Sequence, residues 1–270
     1  MADRMKPHVV ERVKLIRQWE AKNGYDEAKD LPGFQLYKNY YVPNAVAKVA
    51  KNVLSFGVGG NVGFEKELAF ANKDLKVNLY DPTPRSVALI RQIIRSSSYK
   101  KVGMRNDHPD NLQAGKRIRF EPIAYGSING KQKFYYDPAK EQGEFVDRAL
   151  QSFTLVKRDS LTKHVMVATK TLQKILDELG LQSVDIIKAD IEGLWYQFAH
   201  EILENKIDCK FVALELELNF EENEKVEPAL EKAQTVCDLF KANNYDVVIN
   251  RRRDKLMLEM LFIRKDAYEG

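Results

Sequence analysis

The segment VLSFGVGGNVGF, residues 53–64, joins an apolar run to a glycine-rich turn. A turn of this kind usually leads from a strand into a helix, and its glycines let backbone approach a ligand closely because they carry no side chain. These glycines are Gly57, Gly59, Gly60 and Gly63. The segment therefore predicts a site for a nucleotide or a nucleotide-like cofactor.

The residues after the glycines narrow the choice of ligand. A P-loop needs a lysine and a hydroxyl residue there, and Phe64 and Glu65 stand in their place, which excludes that site. The dinucleotide fingerprint needs its third glycine at position 62, which is Val62, and a pyrophosphate would lie beside Glu65 and Glu67. An NAD(P)-dependent oxidoreductase is thus disfavoured, but it stays an alternative.

An acidic residue ends the next apolar run, KVNLYD. Asp81 follows Gly57 by 24 residues, which is where a carboxylate that binds ribose hydroxyls is expected. Sites for NAD and for S-adenosylmethionine share this acid, so Asp81 indicates a nucleoside without identifying it. The alternative is that Asp81 only starts a turn at Pro82.

The elements that must position these residues alternate along the chain. Apolar runs typical of strands are separated by helical patterns, which predicts a mainly parallel sheet covered by helices on both faces, a three-layer α/β fold. Only RRRD separates the last two runs, too few residues for a parallel crossover, so the closing strand is expected to be antiparallel. The seven predicted strands are NVLSF, KVNLYD, KRIRFEPIA, VDIIKAD, KFVALELEL, YDVVIN and KLMLEMLFIRK.

The alternation pauses in the middle of the chain. Asn129 and Gly130 stand between two short strand-like runs, which predicts a β-hairpin. The stretch 137–169 has no clear period, and we expect irregular structure or part of a substrate pocket there. A helix follows in TKTLQKILDELG, with Thr169 or Thr171 as its N-terminal cap and Gly180 at its end.

Domain organisation follows from the same patterns. The N-terminal segment HVVERVKLIRQWEAKNG has apolar residues at helical spacing and a stop at Gly24. No internal repeat or flexible linker interrupts residues 46–265. We predict a helical appendage over residues 1–45 and one catalytic domain over residues 46–270.

Composition excludes several other classes of protein. The chain has 270 residues, a formal net charge of +4 and two cysteines. Cys209 and Cys237 form no CxxC pair, so neither a disulfide framework nor a zinc site is expected. The N-terminus has no uninterrupted apolar block, so we expect no membrane segment and a cytoplasmic protein. The modest charge disfavours a nucleic-acid partner.

Several motifs occur together in the order found in one enzyme family. They are VLSFGVGGNVGFEKELA, VNLYDPTPRSV, EPIAYGSINGKQKFYY, TLQKILDELG and VDIIKADIEG. With them, residues 53–218 resemble FkbM-type S-adenosylmethionine-dependent methyltransferases, in the subgroup with DPTP after the second strand. The resemblance implies a Rossmann-like class I methyltransferase fold, S-adenosylmethionine as cofactor, and a hydroxyl of a small molecule or carbohydrate as acceptor.

The resemblance also implies a layout for the cofactor. The backbone of Phe56, Gly57 and Gly59 would face the methionine end, and Asp81 would bind the ribose. Pro82 and Thr83 would lie near the adenosine, and Ile123 and Ala124 would border the adenine.

Two acids after the fourth predicted strand are the candidate catalytic residues. Lys188, Asp190 and Glu192 alternate, so they would share one face if the strand continued that far. Asp190 is the first candidate for a base that takes the acceptor's hydroxyl proton, and Glu192 is the second. As alternatives, Lys188 pairs with a carboxylate, and Glu192 only complements the helix that begins near Gly193.

The residue types in this region also allow other roles. We expect no metal, although Asp190, Glu192 and Glu215 are oxygen donors that could hold a divalent cation. His164 is an alternative base or substrate contact. A fold that binds the cofactor without catalysis, and methylation of RNA or protein, are further alternatives.

Overall fold

The computed structural model describes residues 7–95, 117–136, 153–158, 161–218, 225–251 and 257–268. Its helices in these ranges are α1 (Pro7–Asn23), α2 (Asn44–Val49), α3 (Gly63–Ala71), α4 (Pro84–Arg95), α5 (Leu172–Leu179), α6 (Trp195–Glu204) and α7 (Glu227–Ala242). Its strands are β1 (Phe34–Tyr37), β2 (Tyr40–Pro43), β3 (Asn52–Phe56), β4 (Lys76–Tyr80), β5 (Ile118–Glu121), β6 (Ala124–Tyr125), β7 (Gly130–Tyr136), β8 (Lys163–Lys170), β9 (Ser183–Ala189), β10 (Asp208–Glu217), β11 (Tyr245–Ile249) and β12 (Met257–Arg264).

The central sheet has seven strands in the order β11-β12-β10-β9-β3-β4-β5. All paired neighbours from β10 to β5 are parallel, and β12 runs antiparallel to both β10 and β11. The predicted Rossmann-like sheet with an antiparallel closing strand is therefore confirmed. Strand order reverses between β3 and β9, which is where an open α/β sheet forms its ligand crevice.

Each face of the sheet is buried under helices, which gives the three layers. Leu54 and Phe56 of β3 belong to a core with α1, α5, α6 and α7, whereas Val53 of the same strand belongs to a core with α2 and α3. This division follows from the alternation of side chains along a strand. Both faces must be apolar, which explains the near-continuous apolar runs of the central strands.

The smaller sheet corrects the predicted hairpin at Asn129–Gly130. Strand β8 lies between β6 and β7, parallel to β6 and antiparallel to β7. Gly130 pairs with Thr169, and the side-chain oxygen of Asn129 accepts a 3.0 Å hydrogen bond from the amide of Thr171. The hairpin prediction is wrong because β8, from the stretch predicted to lack a period, offers β7 a pairing along its whole length. Most of β8 is exposed, so no apolar alternation marked it in the sequence.

Other local predictions hold. Thr171 caps α5 by accepting a hydrogen bond from the amide of Lys174, and Gly180 ends the helix with a left-handed φ of 66°. The N-terminal helix forms as α1, with Ile16 buried in the main core. The boundary between appendage and domain at residues 45 and 46 stays a prediction. No helix within the described ranges has the length and apolar character needed to cross a membrane.

Candidate active site

A cavity of about 730 Å³, partly open to solvent, lies at the carboxyl ends of β3, β4 and β9. Gly57, Gly59, Asp81, Ala124 and Asp190 are among its lining residues. The structure therefore brings six of the eight predicted cofactor residues and the first candidate catalytic residue to one cavity, at the point where strand order reverses; Phe56 and Ile123 are not in its lining.

Gly57 joins the ends of β3 and β9. A side-chain carbon at this position would lie 1.6 Å from the carbonyl oxygen of Asp190, and φ is 69°, so only glycine fits. The amide of Asp190 donates a 3.1 Å hydrogen bond to the carbonyl of Phe56. The ring of Phe56 is fully buried and stacks on Tyr80 at 4.9 Å, so Phe56 belongs to the core and not to the cavity lining.

Asp81 holds the glycine turn in place. Its side chain is 3% exposed, and Oδ2 accepts hydrogen bonds of 2.8 Å from the amide of Gly59 and from the hydroxyl of Ser86. Oδ1 accepts a 2.8 Å hydrogen bond from the amide of Thr83. Burial raises the pKa of Asp81, while these hydrogen bonds lower it in part. The Thr83 side chain is a further hydrogen-bond partner of Asp81, so a ribose hydroxyl would have to share an oxygen that already accepts a hydrogen bond.

Ser86 is a site residue that sequence reasoning missed. Its fully buried hydroxyl accepts a 2.8 Å hydrogen bond from Thr83 Oγ1 and also contacts the carbonyl oxygen of Gly59. Ser86 lies in the first turn of α4, two residues after the DPTP motif ends. A hydroxyl residue at a helix start was the only available signal.

The predicted adenine side is partly as expected. Pro82, Thr83 and Ala124 line the cavity, whereas the side chain of Ile123 lies in the main core. Two aromatic rings that were not predicted, Phe134 and Phe153, stack at 5.4 Å and pack against Ala124. Phe153 comes from the stretch 137–169, which was predicted to form irregular structure or part of a substrate pocket. No other feature of the sequence indicated a role for Phe153. Residues 137–152 and 159–160 of that stretch lie outside the described residues.

The chain after β9 does not continue as the extended strand that a common face for Lys188, Asp190 and Glu192 would require. The strand ends at Ala189, and Glu192 and Gly193 follow with left-handed φ values of 46° and 91°. Asp190 and Glu192 both line the cavity, but Lys188 does not. The common face of these three side chains is therefore not formed, because the strand ends before Asp190.

The segment that contains Thr154 holds this loop in place through hydrogen bonds. The hydroxyl of Thr154 donates a 2.5 Å hydrogen bond to the carbonyl oxygen of Glu192 and accepts one of 2.9 Å from the amide of Val156. The backbone of Thr154 is in turn paired with Tyr135 of β7 by hydrogen bonds of 2.7 and 3.0 Å. Thr154 thus connects the smaller sheet to the loop that carries both candidate catalytic acids.

The remaining candidates lie away from the cavity lining. His164 is exposed on β8, with its ring centroid 5.8 Å from that of Tyr135. Glu215 is buried on β10, in register with Glu259 of β12. Within the described ranges, no three His, Cys, Asp or Glu side chains come together as a metal site. The set of Asp190, Glu192 and Glu215 is therefore not assembled for a cation.

Comparison with known proteins identifies the family to which the site belongs. A family model described as the methyltransferase FkbM domain matches residues 37–247, which is most of the chain. None of the curated proteins compared with the chain matches it significantly.

Solved structures show distant similarity to the fold. An O-methyltransferase from Bacillus cereus in complex with SAH is 10% identical, with a TM-score of 0.43, covering 94% of this chain and 90% of that one. A putative O-methyltransferase from Klebsiella pneumoniae is 9% identical, with a TM-score of 0.42 and coverages of 96% and 91%. Cofactor-bound Rv0187 from MTB is 12% identical, with a TM-score of 0.43 and coverages of 97% and 91%. Similarity at this level supports no conclusion about the acceptor.

Proposed function

Since the chain belongs to the FkbM methyltransferase family and uses S-adenosylmethionine, we propose that it methylates a hydroxyl group of a small molecule or sugar. One observation carries this proposal: the glycine turn, Asp81 and Asp190 line a single cavity at the carboxyl ends of the strands. A donor site and a candidate base thus lie within reach of one bound pair of reactants.

The residues of the cavity fit the cofactor. S-adenosylmethionine supplies a methyl group activated on a positively charged sulfur. Gly59 has open space where a side chain would stand, Gly57 lines the cavity, and Asp81 presents its carboxylate to the same cavity for a ribose hydroxyl. The carboxylates of Asp81, Asp190 and Glu192 favour a cationic ligand over a pyrophosphate.

Asp190 is the residue that we expect to handle the proton. As the acceptor oxygen forms its bond to the methyl carbon, the electron pair of the carbon–sulfur bond remains on sulfur. The hydroxyl proton passes to the carboxylate of Asp190. The backbone of Asp190 is held by Gly57 and Phe56, so its position relative to the donor is set before the acceptor arrives.

Glu192 has a second role in this proposal. Its side chain lines the same cavity, and Thr154 holds its backbone. We expect Glu192 to orient the acceptor rather than to take the proton, because its left-handed backbone separates it from the end of β9. Apolar side chains on the same wall, Leu155 and Leu194, would contact the body of the acceptor.

The test is methyl transfer itself. The protein is incubated with S-adenosylmethionine and a panel of sugars, phenols and aliphatic alcohols, and the formation of S-adenosylhomocysteine and of the methylated product is measured by mass spectrometry. We expect a product with one of these classes, and its loss in Asp190→Asn. Binding of cofactor with no transfer to any hydroxyl, amine or thiol would favour the alternative of a non-catalytic cofactor-binding protein. Transfer to an amine or thiol alone would contradict O-methylation.

A further inference from the structure

Lys188 places a buried amino group directly beneath the glycine turn. Its side chain is 6% exposed, and Nζ donates a 2.9 Å hydrogen bond to the carbonyl oxygen of Gly57. Gly57 lines the cavity, but Lys188 itself does not. The cation therefore lies behind the backbone that we expect to contact the methionine end of the cofactor.

The immediate neighbours of Lys188 in the sheet are small or aromatic. They are Ser55 and Ala213 in the adjacent strands, and the ring of Tyr40 lies 5.9 Å from Nζ. The hydrogen bond to Gly57 is between a charged donor and a neutral acceptor.

Two buried carboxylates lie on the same side of the sheet. Glu65 of α3 accepts a hydrogen bond from Ser55, the neighbour of Lys188 in β3. Glu215 lies on β10 two residues beyond Ala213, the other neighbour. These acids balance part of the charge of Lys188. They do not replace its contact with Gly57, through which the cation is held closest to the cavity.

We propose that Lys188 shifts the preference of the site toward neutral S-adenosylhomocysteine, against the cavity carboxylates of Asp81, Asp190 and Glu192, which favour cationic S-adenosylmethionine. This inference rests on the proposed function, because it requires the sulfur to lie near Gly57. A cation several ångströms from a sulfonium repels it, and this repulsion is not fully screened at a partly buried site. Lys188 also occupies the Gly57 carbonyl, which removes an acceptor that would otherwise attract a cationic ligand.

This preference assists the reaction. Methyl transfer removes one positive charge from the bound donor, so the repulsion from Lys188 decreases as the carbon–sulfur bond breaks. A fixed charge that destabilises the donor more than the product lowers the free energy of the step. Lys188 acts through its field and through Gly57 without touching the reacting atoms, and it is therefore a specificity-determining residue.

The test compares two dissociation constants in matched variants. Calorimetry measures the Kd of S-adenosylmethionine and of S-adenosylhomocysteine for the wild type, Lys188→Met and Lys188→Arg. Lys51→Met is the control for net charge, because Lys51 is exposed and pairs with Asp74. In Lys188→Met we expect the ratio of the first Kd to the second to fall at least about threefold, the size expected for one partly screened charge. The ratio should not change in Lys188→Arg or Lys51→Met.

A purely structural role gives a different result. If Lys188 only supports the turn, Lys188→Met weakens both ligands by the same factor, and an unchanged ratio would overturn the inference. If the wild type binds neither ligand, the proposed function fails and the inference fails with it.

A second variant keeps the test valid if Lys188→Met does not fold. Lys188→Gln removes the charge but keeps a donor for the carbonyl oxygen of Gly57. We expect the ratio of the two Kd values to fall in Lys188→Gln as in Lys188→Met. An unchanged ratio in a folded Lys188→Gln would contradict an effect of the charge.

Discussion

The amide of Gly59 donates a 2.8 Å hydrogen bond to Oδ2 of Asp81, which ties the glycine turn after β3 to the end of β4. The geometry needed for a cofactor site is therefore not a property of the glycines alone. Asp81 both shapes the turn and presents a carboxylate to the cavity.

Substitution of Asp81 tests this double role. In Asp81→Asn the amide group keeps the size of the side chain but replaces one acceptor oxygen with a donor. We expect the affinity for S-adenosylmethionine to fall by about tenfold or more, the equivalent of one charge-assisted hydrogen bond of roughly 1.5–3 kcal/mol. Calorimetry measures this change. Asp74→Asn, at an exposed acid, is the matched control, and equal affinities in the two variants would mean that Asp81 contacts no ligand.

Gly57 and Gly24 form a second matched pair. Both have a left-handed φ, 69° and 62°, but a side-chain carbon at Gly24 would meet nothing within 4 Å, whereas one at Gly57 would meet the carbonyl of Asp190. We expect Gly24→Ala to cost about 1–2 kcal/mol of stability from its backbone conformation. Gly57→Ala should cost more and should also weaken cofactor binding. Thermal unfolding and calorimetry measure both effects, and equal losses in the two variants would show that the contact with Asp190 is unimportant.

Variants of Thr154 test whether its hydroxyl holds the loop after β9 in place. Thr154→Val keeps the shape of the side chain but removes the hydroxyl that donates to Glu192, whereas Thr154→Ser keeps the hydroxyl. We expect faster amide hydrogen exchange over residues 190–194 in Thr154→Val only, with little change in the Kd of S-adenosylmethionine. If Thr154→Ser exchanges as fast as Thr154→Val, the methyl group and not the hydroxyl holds the loop.

Asp185 provides a test of stability away from the cavity. Burial opposes ionisation of its carboxyl, but hydrogen bonds from Lys210 and from the amides of Lys51 and Asn52 outweigh burial and lower the pKa of Asp185. A lowered folded-state pKa means that the stabilisation is present above the unfolded-state pKa and is lost as pH falls through the folded-state value.

For Asp185→Asn we therefore expect a loss of about 1–3 kcal/mol in the free energy of unfolding near neutral pH. The difference from the wild type should shrink in acid, and cofactor affinity should not change. Denaturant unfolding at several pH values measures the first two effects. A difference that stays constant at all pH values would contradict an ionised, hydrogen-bonded Asp185.

The central sheet could be predicted because its strands are separate apolar runs with helical patterns between them. The antiparallel closing strand followed from a connection too short for a crossover. Strand β8 could not be predicted, since its side chains are mostly exposed and show no apolar alternation. Pairing with a distant segment then overrode the local turn signal at Asn129 and Gly130.

The site residues could likewise be predicted only where they stand in local sequence motifs. Gly57 and Asp81 stand in motifs, so sequence reasoning found them. Ser86 and Thr154 act through contacts between segments distant in the chain, which no local pattern reveals. The conformation of the loop after β9 could not be predicted either, because Glu192 has a left-handed backbone, an uncommon conformation for a residue other than glycine.

The most direct test of the account is calorimetry of the wild type with S-adenosylmethionine, S-adenosylhomocysteine and NADPH under identical conditions. We expect S-adenosylmethionine and S-adenosylhomocysteine to bind with a stoichiometry of about one, as one cofactor cavity implies. NADPH should not bind, because carboxylates surround the glycine turn. Binding of NADPH without binding of either methyl-cycle ligand would contradict the cofactor site described for this protein.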